Sequence, residues 1–309
     1  MQIVEELARL TPNREVALTI GVFDGVHLGH QHLLSQVMET AGEQKILSGV
    51  VTFYPHPRQV IYQEEPVPYL CTLDERVEIL KSLGIDLIAT LSFTPKLART
   101  EAREFVSLIQ EHLRMKELVV GPDFALGRGR EGDLDTLRAI GREQGFGVRV
   151  VPPLDLEGLV VSSTAIRRAL AEGDVVQAAR LLGRRVSLFG RVITGAHRGK
   201  GLGFPTANLD VGQDLALPAN GVYVTRAHVG SSTHPSVTNI GHNPTFGGRH
   251  RTVEVHLLDF DEDVYGQTMR IELLRRLRDE KRFATVEDLV AQMHRDVAET
   301  RRILEQSPV

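Results

Sequence analysis

Residues 16–22 form a continuous apolar run rich in β-formers, and it breaks at the turn dipeptide Asp24-Gly25. Such a run predicts a buried strand. Leu33, Leu34, Val37 and Met38 then recur at i, i+3, i+4 spacing, so a helix opens near Gly29-His30. The same alternation repeats along the first part of the chain. Strands are predicted at 45–54, 86–93, 117–120 and 148–151. Helices are predicted at 73–83, at 100–114 with Thr100 as its cap, and from about Asp133 to Gly145. Two more helices follow, one behind Ser162-Ser163-Thr164 running to Glu172 and one at 175–182. Strand and helix in turn, joined by short loops, argue an α/β fold with a doubly wound parallel sheet.

The pattern changes at Gly183-Arg184-Arg185. Helical periods nearly vanish until about residue 285, and short β-rich runs separated by Gly and Pro take over: 187–193, 221–228, 236–239, 252–258 and 269–277. Runs spaced this way suggest a small antiparallel β-barrel. A closing helix is predicted at 285–305, capped by Thr285 with Asp288 three residues on; Val286, Leu289, Val290, Met293 and Val297 form its apolar face. The domains expected are therefore 1–184 and 185–309.

Composition narrows the function class. A chain of 309 residues has room for two domains. The formal net charge of −4 gives no electrostatic case for a nucleic-acid or membrane-surface partner. The single cysteine, Cys71, excludes an internal disulfide and suits a reducing cytoplasm. The acidic start Met-Gln-Ile-Val-Glu-Glu is unlike a signal peptide, and no apolar run approaches the roughly 18–20 residues that span a bilayer.

Candidate chemistry sits at the joints of this pattern. His27 and His30 lie between the carboxyl end of a strand and the amino end of a helix. Unpaired N–H groups and the positive dipole end favour a phosphate there. Two imidazoles aimed at one point can stabilise a transferring phosphoryl group without a covalent step. Arg167 stands about one turn into the helix behind Ser163 and Thr164, where a cation is unfavourable unless an anion faces it. The loop from Gly195 to Asn208 does not fit a P-loop, because Gly201 follows Lys200 and Pro205 blocks the helix. Thr206 and Asn208, two oxygen donors beside Pro205, suit Mg²⁺. Glu254 shares a strand face with His256, opposite Val253, Val255 and Leu257. On the inner or mouth face of a barrel it would be a proton acceptor or a metal neighbour. Taken alone, Gly127–Gly132 reads equally as a surface loop, Ser162–Arg167 as a capped helix and Glu254 as a solvated strand residue.

The motifs together resemble a known family. Gly21-Val-Phe-Asp-Gly-Val-His-Leu-Gly-His30, Thr52-Phe-Tyr-Pro-His-Pro57, Gly121-Pro-Asp-Phe-Ala-Leu-Gly127 with Gly129-Arg-Glu-Gly132, and Ser162-Ser-Thr-Ala-Ile-Arg167 are similar to the HxGH nucleotidyltransferases, specifically the FMN adenylyltransferase module of prokaryotic FAD synthetases. Gly203-Phe-Pro-Thr-Ala-Asn208, Gly221-Val-Tyr223, Asn239-Ile-Gly-His-Asn-Pro-Thr245, Val253-Glu254 through Asp259, Tyr265-Gly266 and Arg278-Asp-Glu-Lys-Arg-Phe283 resemble riboflavin kinase. Two positions depart from the pattern: Tyr54 stands where an acidic residue is commoner, and Asp123 where Asn is common.

The resemblance implies a bifunctional enzyme. The second module would phosphorylate riboflavin to FMN with ATP. The first would adenylylate FMN to FAD with a second ATP, releasing pyrophosphate. By position, Glu254 would be the kinase base, and Thr206 and Asn208 would hold Mg²⁺. The loop carrying Gly195, Gly199, Gly201 and Gly203 would fold over the nucleotide. His27 and His30 would steady the α-phosphoryl, with Gly21, Phe23, Asp24, Gly25 and Gly29 around the ATP phosphates. Ser163, Thr164 and Arg167 would hold the departing phosphates. Pro55, His56, Pro57, Asp123 and Phe124 would lie on the flavin side of the first module, Arg278 and Phe283 on that of the second.

Overall fold

The computed structural model of the chain describes residues 2–62, 67–195, 200–242 and 251–306. They divide into two compact units, Met1–Ser163 and Thr164–Val309.

The first unit is a five-stranded sheet with strand order β3-β2-β1-β4-β5, every pair parallel. Its elements run α1 (Gln2–Ala8), β1 (Val16–Ile20), α2 (Leu28–Gln44), β2 (Leu47–Tyr54), α3 (Pro57–Tyr62), α4 (Leu73–Ser82), β3 (Leu87–Ser92), α5 (Ala102–Leu113), β4 (Met115–Val120), α6 (Leu134–Gln144) and β5 (Gly147–Val150). A small hairpin of β6 (Asp155–Leu156) and β7 (Leu159–Val160) follows. Alternate residues of each strand go to opposite faces. Val16, Leu18 and Ile20 pack with Leu7, Val106, Ile109 and Leu137 from α1, α5 and α6. Ala17 and Val50 belong to the cores that take in Val37 and Leu34 of α2 and Leu80 of α4. Helices on both faces explain why the strands read as unbroken apolar runs. The order reverses beside β1, between β2 and β4, so the β1-to-α2 connection opens at the switch point where such sheets bind ligands.

Three local features differ from the sequence reading. Helices α1 and α3 were not expected; α3 begins at Pro57, where a missing N–H costs nothing, just beyond a cis Tyr54–Pro55 bond. Thr100 does not cap α5. Its hydroxyl donates to the Lys96 carbonyl, Glu101 holds the cap position, and the carboxylate of Glu131 accepts the Ala102 N–H at 2.9 Å. Gly127–Gly132 is thus more than a surface loop, since Glu131 reaches from it to satisfy a helix end.

The second unit opens with α7 (Ser163–Glu172) and α8 (Val175–Leu182). Six strands then close a barrel in the order β10-β11-β12-β9-β8-β13. They are β8 (Val186–Ile193), β9 (Ala207–Val211), β10 (Gly221–Val229), β11 (Ser232–His242), β12 (Arg251–Leu257) and β13 (Thr268–Arg278). All neighbours are antiparallel. Packing places the division at 163/164, ahead of the 184/185 change in sequence pattern. The apolar face of α8 (Val175, Ala178, Leu181, Leu182) is buried, and the Ala219 N–H ties the barrel to Leu170 of α7 at 2.8 Å.

Helix α9 (Val286–Glu305) closes the unit, with Thr285 accepting the Asp288 N–H as expected. Its expected apolar face turns toward the barrel unit only in part: Leu289, Val290, Met293 and Val297 are half-buried.

Candidate active sites

The first site grows from the end of β1. Phe23 adopts a left-handed conformation and Gly25 a positive φ, so the chain turns within three residues. The turn is pinned from several sides. The Asp24 carboxylate accepts the Leu70 N–H at 2.9 Å, the Gly25 N–H points at the Cys71 sulfur at 3.3 Å, and the Ser163 hydroxyl donates to the Asp24 carbonyl at 3.1 Å. His27 is the N-cap of α2. Its Nδ1 accepts the His30 N–H at 3.2 Å, which leaves the ring proton of the neutral form on Nε2. The two imidazoles stack, with centroids 3.6 Å apart and planes 16° from parallel. Phe23 tilts against His30 at 5.0 Å. Gly29 is required here: a Cβ would fall 2.9 Å from the Val161 carbonyl and 3.2 Å from the His27 ring.

Electrostatics keep His30 uncharged. Burial, then the His27 ring, then the Arg76 guanidinium push the His30 pKa well below 6.5. The His30 Nδ1 is sealed from solvent and has no hydrogen-bond partner among the described residues. His30 is therefore disposed as a neutral hydrogen-bonding group toward an anion.

Beside this turn lies a cavity of about 700 Å³. Gly21, Phe53, Pro57, Phe93, Phe105 and Phe124 line it, and Arg58, Arg99 and Arg130 stand at its wall. Flat aromatic walls with a few cations suit a planar, phosphate-bearing ligand. Gly21, expected near the ATP phosphates, thus lines the same cavity as Pro57 and Phe124, expected on the flavin side. Pro55, His56 and Asp123 flank the lining rather than form it; the His56 N–H donates to the Tyr69 hydroxyl at 2.6 Å, and the Asp123 carbonyl accepts from Arg130 at 2.8 Å. Thr164 and Arg167 lie on α7, within the second unit.

The second site is a row of side chains across the barrel wall. Asn208 of β9 is opposite Glu254 of β12, Glu254 is opposite Asn239 of β11, and Asn239 is opposite Val222, which is opposite Arg278. Val253, Val255 and Leu257 fill the interior, so Glu254, Asn208 and Asn239 point outward and are half-buried. Glu254 is therefore on the outer wall, not on the inner or mouth face read from sequence. Two amides bracket the carboxylate at cross-strand distance.

Thr206 precedes Asn208 on the same edge. Gly195 leaves room for the Asn208 amide, since a Cβ there would fall 2.0 Å from its nitrogen. Gly201 and Gly203 belong to the turn that follows, and Gly199 lies outside the described residues. Neutral oxygen donors in an open cradle fit a magnesium ion that takes its remaining ligands from phosphates. Arg278 is engaged by Asp296, with the Phe283 ring 5.9 Å from its guanidinium.

Asn239, Arg76 and Tyr69 are contributors that sequence reasoning passed over. Asn239 stood in a quoted motif with no role, and its place beside Glu254 depends on strand register. Arg76 reads as one polar position of an amphipathic helix, and Tyr69 as a loop residue. Nothing in the one-dimensional pattern marks either.

A switch-point sheet with a histidine pair at a helix N-terminus, joined to a barrel with a carboxylate between two amides, defines a two-module nucleotide-dependent transferase. The FAD synthetase family model matches residues 10–165, and the riboflavin kinase family model matches residues 182–304. The chain is 37% identical over 300 residues to the bifunctional riboflavin kinase/FMN adenylyltransferase of Escherichia coli K12, covering 96% of each chain. It is 39% identical over 306 residues to that of Pseudomonas fluorescens, covering 98% of each. A solved structure described as a macrolide-efflux protein from Streptococcus pneumoniae superposes with a TM-score of 0.89 at 30% identity, covering 97% of each chain. No described helix of the present chain is long and apolar enough to cross a membrane. The chain belongs to the bifunctional riboflavin kinase/FMN adenylyltransferase family.

Proposed function

We propose that the two activities divide between residues 1–184 and 185–309, with FMN adenylylation in the first part and riboflavin phosphorylation in the second. The enzyme makes FMN from riboflavin and ATP, and FAD from FMN and ATP. In the barrel, Glu254 accepts the proton of the riboflavin 5′-hydroxyl as that oxygen attacks the γ-phosphorus of ATP. Asn208 and Asn239 hold the carboxylate between them. Thr206 and Asn208 would bind Mg²⁺, which neutralises phosphate charge when present. Gly195, Gly199, Gly201 and Gly203 let the loop backbone approach the nucleotide. Arg278, fixed by Asp296, sets the edge of the flavin side with Phe283.

In the sheet module an FMN phosphate oxygen attacks the α-phosphorus of ATP, and pyrophosphate leaves. His27 and His30 donate hydrogen bonds to the α-phosphoryl oxygens. The α2 N-terminus contributes backbone N–H groups. Ser163, Thr164 and Arg167 take the departing phosphates, and the aromatic cavity takes the flavin ring. Both substrates and a single buried thiol suit the cytoplasm.

The observation that carries this reading is the presence in one chain of the stacked His27–His30 pair at a helix N-terminus and the Asn208–Glu254–Asn239 row. Incubation of the pure protein with riboflavin and Mg-ATP tests it. Chromatography is expected to show FMN followed by FAD, and folded protein that gives neither product overturns it.

A further inference from the structure

Arg76 heads the fully buried side chains by volume, and it carries a charge. Its position is unfavourable on three counts. Burial strips a guanidinium of water. It is the fourth residue of α4, near the positive end of the helix dipole, where anions belong. Its Nε and Nη2 have no hydrogen-bond partner among the described residues. Only Nη1 is spent, on the Thr52 hydroxyl at 3.2 Å and the Phe53 carbonyl at 3.1 Å, while the Tyr69 ring faces the guanidinium at 5.8 Å.

Each of these partners leads to the adenylylation site. The Thr52 hydroxyl donates to the Val22 carbonyl at 2.8 Å, in the connection that carries His27 and His30. Phe53 lines the aromatic cavity. The Tyr69 hydroxyl accepts the His56 N–H and donates to Gln59. One buried cation thus joins the end of β2, the β1-to-α2 connection and the 55–59 segment. A group retained at such cost and placed at a reaction centre points to function rather than stability.

We propose that Arg76 is a positioning residue for adenylyl transfer, acting through His30: it fixes the β1-to-α2 connection and supplies the standing positive charge behind the histidine pair. The proposal rests on the FMN adenylyltransferase reading of this module. A neutral His30 brings no net charge, whereas ATP and FMN bring several negative ones. A fixed cation in a water-poor site stabilises that charge without reorganising. The groups around His30 are consistent with this division. His27 stacks on it, and its Nδ1 accepts the His30 N–H. The Asp24 carboxylate is occupied by the Leu70 N–H, and burial raises the pKa of Tyr69, which stays a phenol. Tyr54 packs on the far side of Tyr69 at 5.6 Å. Arg76 is the cation that bears on His30.

The test measures FAD formation from FMN and Mg-ATP against pH for wild type, Arg76→Lys and Arg76→Met, each alone and combined with His30→Asn. FMN formation from riboflavin and near-ultraviolet circular dichroism check each preparation. Arg76→Met is expected to lower kcat roughly 100-fold with a smaller change in KM, and to move the acid limb of the profile to higher pH, because His30 then takes up a proton more readily. Arg76→Lys keeps the charge, so the limb stays while the rate falls several-fold. In the His30→Asn background both substitutions cost less than about threefold. Equal losses in both backgrounds, or an unchanged rate and limb in Arg76→Met, overturn the proposal. If Arg76→Met does not fold, the Lys variant decides by the same comparison of backgrounds. Wild-type protein that makes no FAD refutes the functional reading instead.

Discussion

His30 shows how one residue can carry both chemistry and acid sensitivity. Burial, the His27 ring and the Arg76 charge all disfavour its imidazolium form in the folded chain. Unfolded, it titrates near 6.5. Between the depressed folded pKa and that value the unfolded state binds more protons, so unfolding free energy rises with pH. The contribution of His30 is therefore complete above about pH 6.5 and is lost as pH falls below it. Thermal unfolding of the first unit is expected to shift downward between about pH 7 and pH 5, and His30→Gln should flatten that shift. A glutamine variant as acid-sensitive as wild type would place the sensitivity elsewhere. His27 and His30 stood out as candidates in the sequence because a tight spacing around Gly29 falls where a strand gives way to a helix. The stack between them was not, since it depends on the cap bond from the His30 N–H to His27.

Among the elements, α9 carries a polar anchor that its pattern did not show. Its periodic apolar residues predicted a hydrophobic face, four of whose five residues are half-buried, and the helix is also held through Asp296 and Arg278, whose side chains are 8% and 14% exposed. Gln292 adds a bond to the Asp296 carboxylate at 2.9 Å. A buried pair broken on one side leaves an unpaired charge, which costs about 3–5 kcal/mol. Asp296→Ala is expected to destabilise the barrel unit by roughly that amount in chemical denaturation. Replacing both partners, Arg278→Met with Asp296→Leu, should recover most of the loss, because no buried charge remains. A single variant as stable as wild type would show that the pair holds nothing. The same logic explains what else the pattern hid. Strand β9 has only five residues, with Asn208 and Asp210 polar among them, and follows Pro205. The α5 cap comes from Glu131, which no local signal links to Ala102. Elements with a long apolar run or period were readable; those fixed by distant polar partners were not.

At the scale of the whole molecule each unit carries its own core, and the two proposed reaction centres, the histidine pair and Glu254, fall one in each. Leu18, Leu118 and Ile109 are buried in the first; Val224, Leu274 and Ile303 cluster in the second. The histidine pair needs the β1-to-α2 turn and the Gly29 contact with Val161, all within the first unit. Glu254 needs the register of β9, β12 and β11, all within the second. The alternation of strand and helix, followed by short β runs, already divided the sequence this way, although packing puts α7 and α8 with the barrel. With the histidine pair in the first unit and Glu254 in the second, the reactions should be separable by single substitutions at these residues. Loss of a general base commonly costs about 10²–10⁴ in rate, so Glu254→Ala should abolish detectable FMN formation from riboflavin while FAD still forms from supplied FMN. His30→Ala should do the reverse and let FMN accumulate, because the barrel keeps producing what the other site no longer consumes. Chromatography of the products from each substrate distinguishes the two patterns. Loss of both products in either folded variant would show that the sites work only as a pair, with each module depending on the other for its chemistry.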